Sequence, residues 1–164
     1  MLNLKAAEIK DFTNKLLLTD TFDTFLTTSV LVAGGVTYTI DGTINKDFYD
    51  KEALEAMVSS KYATWGTLRP HVYNVIRGSS LPLKFKIVFV LSDSNISRII
   101  EKNNLLIRTE DIANLSLNIF YDGQDIHITS TATMNTFTLD KTLERLWDEN
   151  LQLFFKKTGI LLSQ

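Results

Sequence analysis

The reading of the fold turns on one continuous stretch, Leu115 to Gly159: LSLNIFYDGQDIHITSTATMNTFTLDKTLERLWDENLQLFFKKTG. At its start Leu115, Leu117, Ile119 and Tyr121 share one parity, and Ser116, Asn118 and Phe120 the other. Asp122-Gly123 supplies a tight turn. Ile126, Ile128, Ala132 and Met134 then alternate with His127, Thr129, Thr131 and Thr133. Period-two alternation marks strands with one buried face. From about Lys141 to Thr158 the spacing changes to three and four. Leu143, Leu146, Trp147, Leu151 and Phe154 form a stripe, with Arg145, Asp148, Glu149, Gln152 and Lys156 opposite. Asp140 is placed to cap this helix and Gly159 to close it. The stretch reads as a hairpin followed by the helix that covers it.

Working outward, residues 5 to 18 carry helical spacing, with Ile9, Phe12, Leu16 and Ala6 or Leu17 on one face and Asn3 as cap. Thr19-Asp20-Thr21 stops that helix. Residues 22 to 45 read as a three-stranded meander. Phe22, Leu26, Val30 and Val32 share a parity, Gly34-Gly35 forms a two-residue hairpin turn, and Asp41-Gly42 forms a second turn. A short helix over 50 to 58, capped by Asp50, turns Leu54, Met57 and Val58 inward. A second runs from about Thr67 to Arg77 on Leu68, Val72 and Ile76, with Pro70 in its first turn. Leu81 to Leu91 is a strand, interior over its second half, where both faces are apolar. Asp93 or Ser94 caps a helix carrying Ile96, Ile99 and Ile100, and Leu105 to Ile107 is a further short strand.

The whole is expected to be one α+β domain over residues 1–164: a mostly antiparallel sheet of about five to seven strands, helices packed on one side, and the long C-terminal helix as main cover. Hydrophobic residues make up 45% and charged residues 22% of the 164, ordinary values for a soluble globular domain. The longest apolar run, Ile87 to Leu91, is far short of the ~20 residues that cross a bilayer. The first residues contain no secretion signal, so a cytoplasmic location is expected. The absence of cysteine excludes disulfides and thiolate zinc sites. Seventeen basic against 19 acidic residues, net charge −2, give nucleic acid no bulk attraction.

Candidates for chemistry are few. His71 and His127 have no neighbour at metal-ligand spacing, so no metal site is expected, and no cofactor loop is present. Gly42, Gly123 and Gly159 read as structural, at turns and a helix end, and Trp147 as a core anchor. Glu144 and Asp148 share a helix face at four-residue spacing, as acid/base partners would, but among the solvated charges of that helix. Trp65, Arg69 and His71 gather aromatic, cationic and imidazole groups within seven residues, a composition found at binding hot spots. The plainer reading makes Trp65 a core plug and Arg69 a local partner. His127, Thr129 and Thr131 form a polar row on one strand, and Lys84 and Lys86 project from one face of another. Were those strands neighbours, a basic and hydroxyl-rich patch would suit an anionic ligand. Asn150 falls within the apolar stripe of the last helix, where a buried amide must find partners or cost ~1–3 kcal/mol. A structural bond to a strand end or loop is expected for it.

The segments TFDTFL, TYTIDG, WGTLRPHVYNVIRG with LPLKFKIVFVLS, and LNIFYDG with FTLDKTLERLWDENLQLFFKK together resemble a family of uncharacterised bacterial proteins from anaerobic Gram-positive species, a domain of unknown function. The resemblance covers nearly the whole chain and implies a bacterial, cytosolic, single-domain protein; it brings no activity or site residues. The order of elements is also similar to one domain of DNA sliding clamps. Clamps present basic helices, whereas Glu8, Lys10, Asp11 and Lys15 mix the charge of the first helix here.

The expectation is a non-enzymatic cytosolic binding or interaction module for a protein or small ligand. One alternative is a nucleic-acid-binding protein with a clamp-like domain, which the charge does not favour. The other is an enzyme with a loop-built site near Trp65 to His71.

Overall fold

The computed structural model describes residues 1–57, 60–78 and 80–164. Its strands are β1 (Asn3–Ala6), β2 (Leu26–Ala33), β3 (Thr37–Asp41), β4 (Lys84–Val90), β5 (Ile112–Tyr121), β6 (Ile126–Met134) and β7 (Leu162–Ser163). Its helices are α1 (Ile9–Leu17), α2 (Lys51–Met57), α3 (Trp65–Ile76), α4 (Asp93–Lys102) and α5 (Thr142–Lys157). The strands make one antiparallel sheet in the order β3-β2-β4-β5-β6-β1-β7, with the helices on one side.

The alternation in β5 and β6 does what the sequence implies. Leu115, Leu117, Ile119, Ile126 and Ile128 are fully buried, and register runs from Tyr121↔Ile126 to Ile112↔Met134. Above them lies α5, whose Leu143, Leu146, Trp147, Leu151 and Phe155 are buried. The Trp147 indole donates to the Ser116 carbonyl at 2.9 Å, tying the helix to β5. Phe22 stacks against Phe89 at 5.7 Å and meets Phe154 edge-on at 5.3 Å. Trp65, also buried, joins the same cluster edge-on to Phe89 at 5.2 Å.

Several expectations are corrected. Asn3–Ala6 is a strand rather than the first turn of a helix, and Glu8 rather than Asn3 occupies the N-cap. Leu2 and Ala6 are buried by alternation, and Ile9, expected inward, is exposed. Spacing over so few residues fits both periods, and β6, more than 120 residues away, supplies the pairing that wins. The meander is a hairpin. Its last pair is Ala33↔Thr37, so the loop has three residues rather than two, and neither Gly34 nor Gly35 adopts positive φ. Phe22 lies in a turn ahead of β2. Beyond β3, Thr43 makes only an isolated bridge to Tyr62.

Leu81 and Leu83 precede β4 and are exposed, and Leu105 to Ile107 is not a strand. In α3 the cap is Thr64, which accepts from the Thr67 N–H, so Pro70 sits in the second turn. Ser92, not Asp93 or Ser94, caps α4. Asp50 does accept from the Ala53 N–H at 2.7 Å, and Leu54 and Met57 of α2 are half-buried; Val58 lies outside the described residues.

Candidate functional site

The helices leave the opposite face of the sheet open, and β-strand alternation sets what it displays. Register aligns one row across four adjacent strands: Lys86 of β4 opposite Phe120 of β5, Phe120 opposite His127 of β6, and His127 opposite Lys5 of β1. A second row places Val88, Asn118, Thr129 and Asn3 side by side. The Phe120 ring, 37% exposed, lies nearly parallel to the His127 imidazole with centroids 6.1 Å apart. Lys84 and Lys86 are exposed and make no ion pair among the described residues. Asn118 donates to the Thr131 hydroxyl at 3.2 Å.

The lysines and the threonine row therefore share a face but are not neighbours, because β5 runs between β4 and β6. That intervening strand contributes Phe120, which the sequence reading passed over. The signal was present: Phe120 is an apolar ring on the polar parity, next to Asn118 and Asp122. Lys5 has no such signal, because the spacing around it also fits a helix.

At the end of this row the hairpin tip brings Asp122, Asp125 and His127 together, one ligand atom of each lying within 4.8 Å of the others. Asp122 Oδ1 accepts the Gln124 and Asp125 N–H groups at 2.8 and 2.7 Å, and Oδ2 lies 2.7 Å from His127 Nε2. The Asp125 N–H, then His127, then the Gln124 N–H hold the Asp122 carboxyl well below the usual carboxylate range. Asp125 pairs with Lys5 at 2.8 Å, and this hydrogen bond raises the lysine above its ordinary value. A cation could be ligated by these three groups, yet each already has a partner. The cluster acts as the clasp of the turn.

The other expected site residues are dispersed. Trp65 is fully buried and its indole donates to the Leu16 carbonyl at 2.8 Å. Arg69 holds Asp23 through two parallel bonds of 2.8 and 2.9 Å, while His71 points to solvent from the same helix. Asn150 is exposed rather than buried, and its amide donates to the Leu146 carbonyl of its own helix at 2.7 Å, not to a strand or loop.

Glu144 and Asp148 are not on the solvated side. Asp148 is 18% exposed and accepts from the buried Ser130 hydroxyl, whose oxygen accepts the Leu2 N–H at 2.7 Å. The Met1 amino group lies 2.8 Å from Glu144 and 2.9 Å from Asp148. That amine first, then Lys141, depresses the Glu144 carboxyl. These carboxylates tie β1 to α5.

Fold and face together define an open-faced α+β sheet protein. The chain belongs to the family described as Family of unknown function (DUF5721), whose model matches residues 15–162. No curated protein and no solved structure matches it.

Proposed function

We propose that this chain is a non-enzymatic binding module that takes single-stranded nucleic acid across the open face of its sheet. The observation that supports this most is the row Lys86, Phe120, His127, Lys5, in register across adjacent strands. Strands lie ~4.8 Å apart, so the row sets the Phe120 and His127 rings beside the Lys86 ammonium, unpaired among the described residues, on one side and, on the other, the Lys5 ammonium that Asp125 holds. Bases stack on such aromatic platforms for ~1–3 kcal/mol each, whatever their sequence. Lys84 and Lys86 supply the phosphate contacts, and the hydroxyls and amides of the second row suit sugar edges. A net charge of −2 adds no long-range attraction, so binding depends on the local row. The setting carried by this reading is a one-domain protein of the bacterial cytosol. No helix among the described residues is long and apolar enough to cross a membrane.

Fluorescence anisotropy with labelled oligo-dT and oligo-rU tests the proposal. Binding is expected at low ionic strength, weakening with salt by a log–log slope of about −0.7 per phosphate neutralised. Phe120→Ala should weaken it about fivefold or more, from one lost stacking contact, and the double change Lys84→Glu, Lys86→Glu should abolish it. Absence of binding at low salt removes the proposal.

A further inference from the structure

On the other side of the sheet, residues of α4 and α5 line an open groove of about 460 Å³. Small-ligand sites occupy ~300–1,000 Å³, are lined mainly by apolar groups and carry a few convergent polar ones. This groove is more polar than that: eight of its fifteen lining residues are apolar and seven are polar or charged. Leu91, Ile99, Leu151 and Phe154 line it, and Arg98 and Lys102, four residues apart on α4, stand along it. We propose that it binds an amphipathic carboxylate, a small molecule with an apolar body and one anionic head.

The sign of the head follows from the charges. Neither Arg98 nor Lys102 makes an ion pair among the described residues. The carboxylate on the lining, Glu149, is engaged by Arg145 at 2.7 Å. The Asn103 and Asn150 amides already donate to the Ile99 and Leu146 carbonyls, at 2.8 and 2.7 Å. The charged donors left for a ligand are therefore the two cations, with the Thr24 hydroxyl and the Asn95 amide as neutral donors beside them. A planar guanidinium takes a carboxylate through two parallel bonds, and the ammonium one turn further on adds a second charge. The apolar body of the ligand removes its own surface and that of the groove from water, at ~25 cal/mol per Å². The volume suits one small molecule. This site is independent of the sheet face, which lies on the opposite side of the strands.

Titration calorimetry, with tryptophan emission read in parallel, tests it. Trp147 lines the groove and reports occupancy. Decanoate is expected to bind one per chain and shift the emission. Acetate, a head without a body, and decyltrimethylammonium, the same body with the opposite head, should not. The double change Arg98→Gln, Lys102→Gln should weaken decanoate at least tenfold. Leu153→Asp, at a groove residue that is 54% exposed and so tolerant of change, should block it with an unaltered melting temperature. Phosphatidylglycerol vesicles separate a free ligand from a lipid surface, and no co-sedimentation is expected. Equal binding of decanoate and decyltrimethylammonium, an unaffected double variant, no saturation below micelle formation, or co-sedimentation with vesicles in place of decanoate binding would each overturn it.

Discussion

Gly42 is held where no side chain fits. A Cβ there would lie 1.7 Å from the Thr27 carbonyl oxygen, while the Gly42 N–H donates to Thr28 and its carbonyl accepts from Ala63, at 2.9 and 2.8 Å. Backbone approaches on both sides leave nothing flexible to yield. Gly42→Ala should cost about 3 kcal/mol, the upper part of the overpacking range. A lowered urea midpoint with an unchanged slope is the expected signature. Gly35→Ala meets nothing within 4 Å and should change stability by less than about 0.5 kcal/mol. The sequence marked Gly42 as structural through its Asp-Gly context, but the reason differs. The residue is needed for close approach, not for a positive φ, which Gly123 and Gly159 do adopt. Asn150 makes the complementary point. Its place in a stripe suggested burial, but the stripe rotates toward Phe155, leaving the amide at the edge of the groove.

At the scale of elements, the β5–β6 hairpin was legible because everything that fixes it is local. Alternation sets the strands, and Asp122 with Gly123 closes the turn. The clasp carries a pH dependence whose sign follows from the depressed Asp122 carboxyl. A carboxyl lower in the folded than in the unfolded chain contributes stability that is fully present above its unfolded value, near 3.8, and lost as pH falls through the folded one. Asp122→Ala should therefore destabilise the protein at neutral pH, with the gap to the parent closing as pH falls below about 4. Denaturant unfolding of both proteins across that range would show a constant gap if the clasp contributes nothing. Residues 3 to 8 show the opposite case. Helical and strand spacing coexist there, and nothing nearby breaks the tie.

For the whole molecule, the determining fact is strand order. β1, near the start of the chain, pairs β6 on one edge and β7, near its end, on the other. Leu4→Pro, opposite Ile128, should loosen both pairings, because proline removes a ladder donor and is poorly tolerated inside a sheet. Amide exchange should rise in β1, in β7 and along the facing edge of β6, and stay unchanged in β2 and β4. A uniform rise would show instead that the sheet opens as one unit. Strand order also assembles the candidate face: β5 between β4 and β6 inserts Phe120 between Lys86 and His127, and β1 adds Lys5. The groove is equally a product of packing, since its cations lie on α4 and most of its apolar lining comes from other elements.

By itself the sequence determined the α+β class, the closing hairpin and its covering helix, and the turn at Asp122-Gly123. Each rests on hydrophobic period or turn chemistry within a few residues; the expected cap of that helix, Asp140, is corrected, because Lys141 takes the N-cap position with no side-chain bond. Only the tertiary structure decided that residues 3 to 6 are a strand, that β5 separates the lysines from the threonine row, and that Arg69 pairs with the distant Asp23 rather than with a local partner. Those outcomes depend on which distant apolar faces bury one another. Local spacing tells a strand which of its faces to hide, but not which strand it will lie beside.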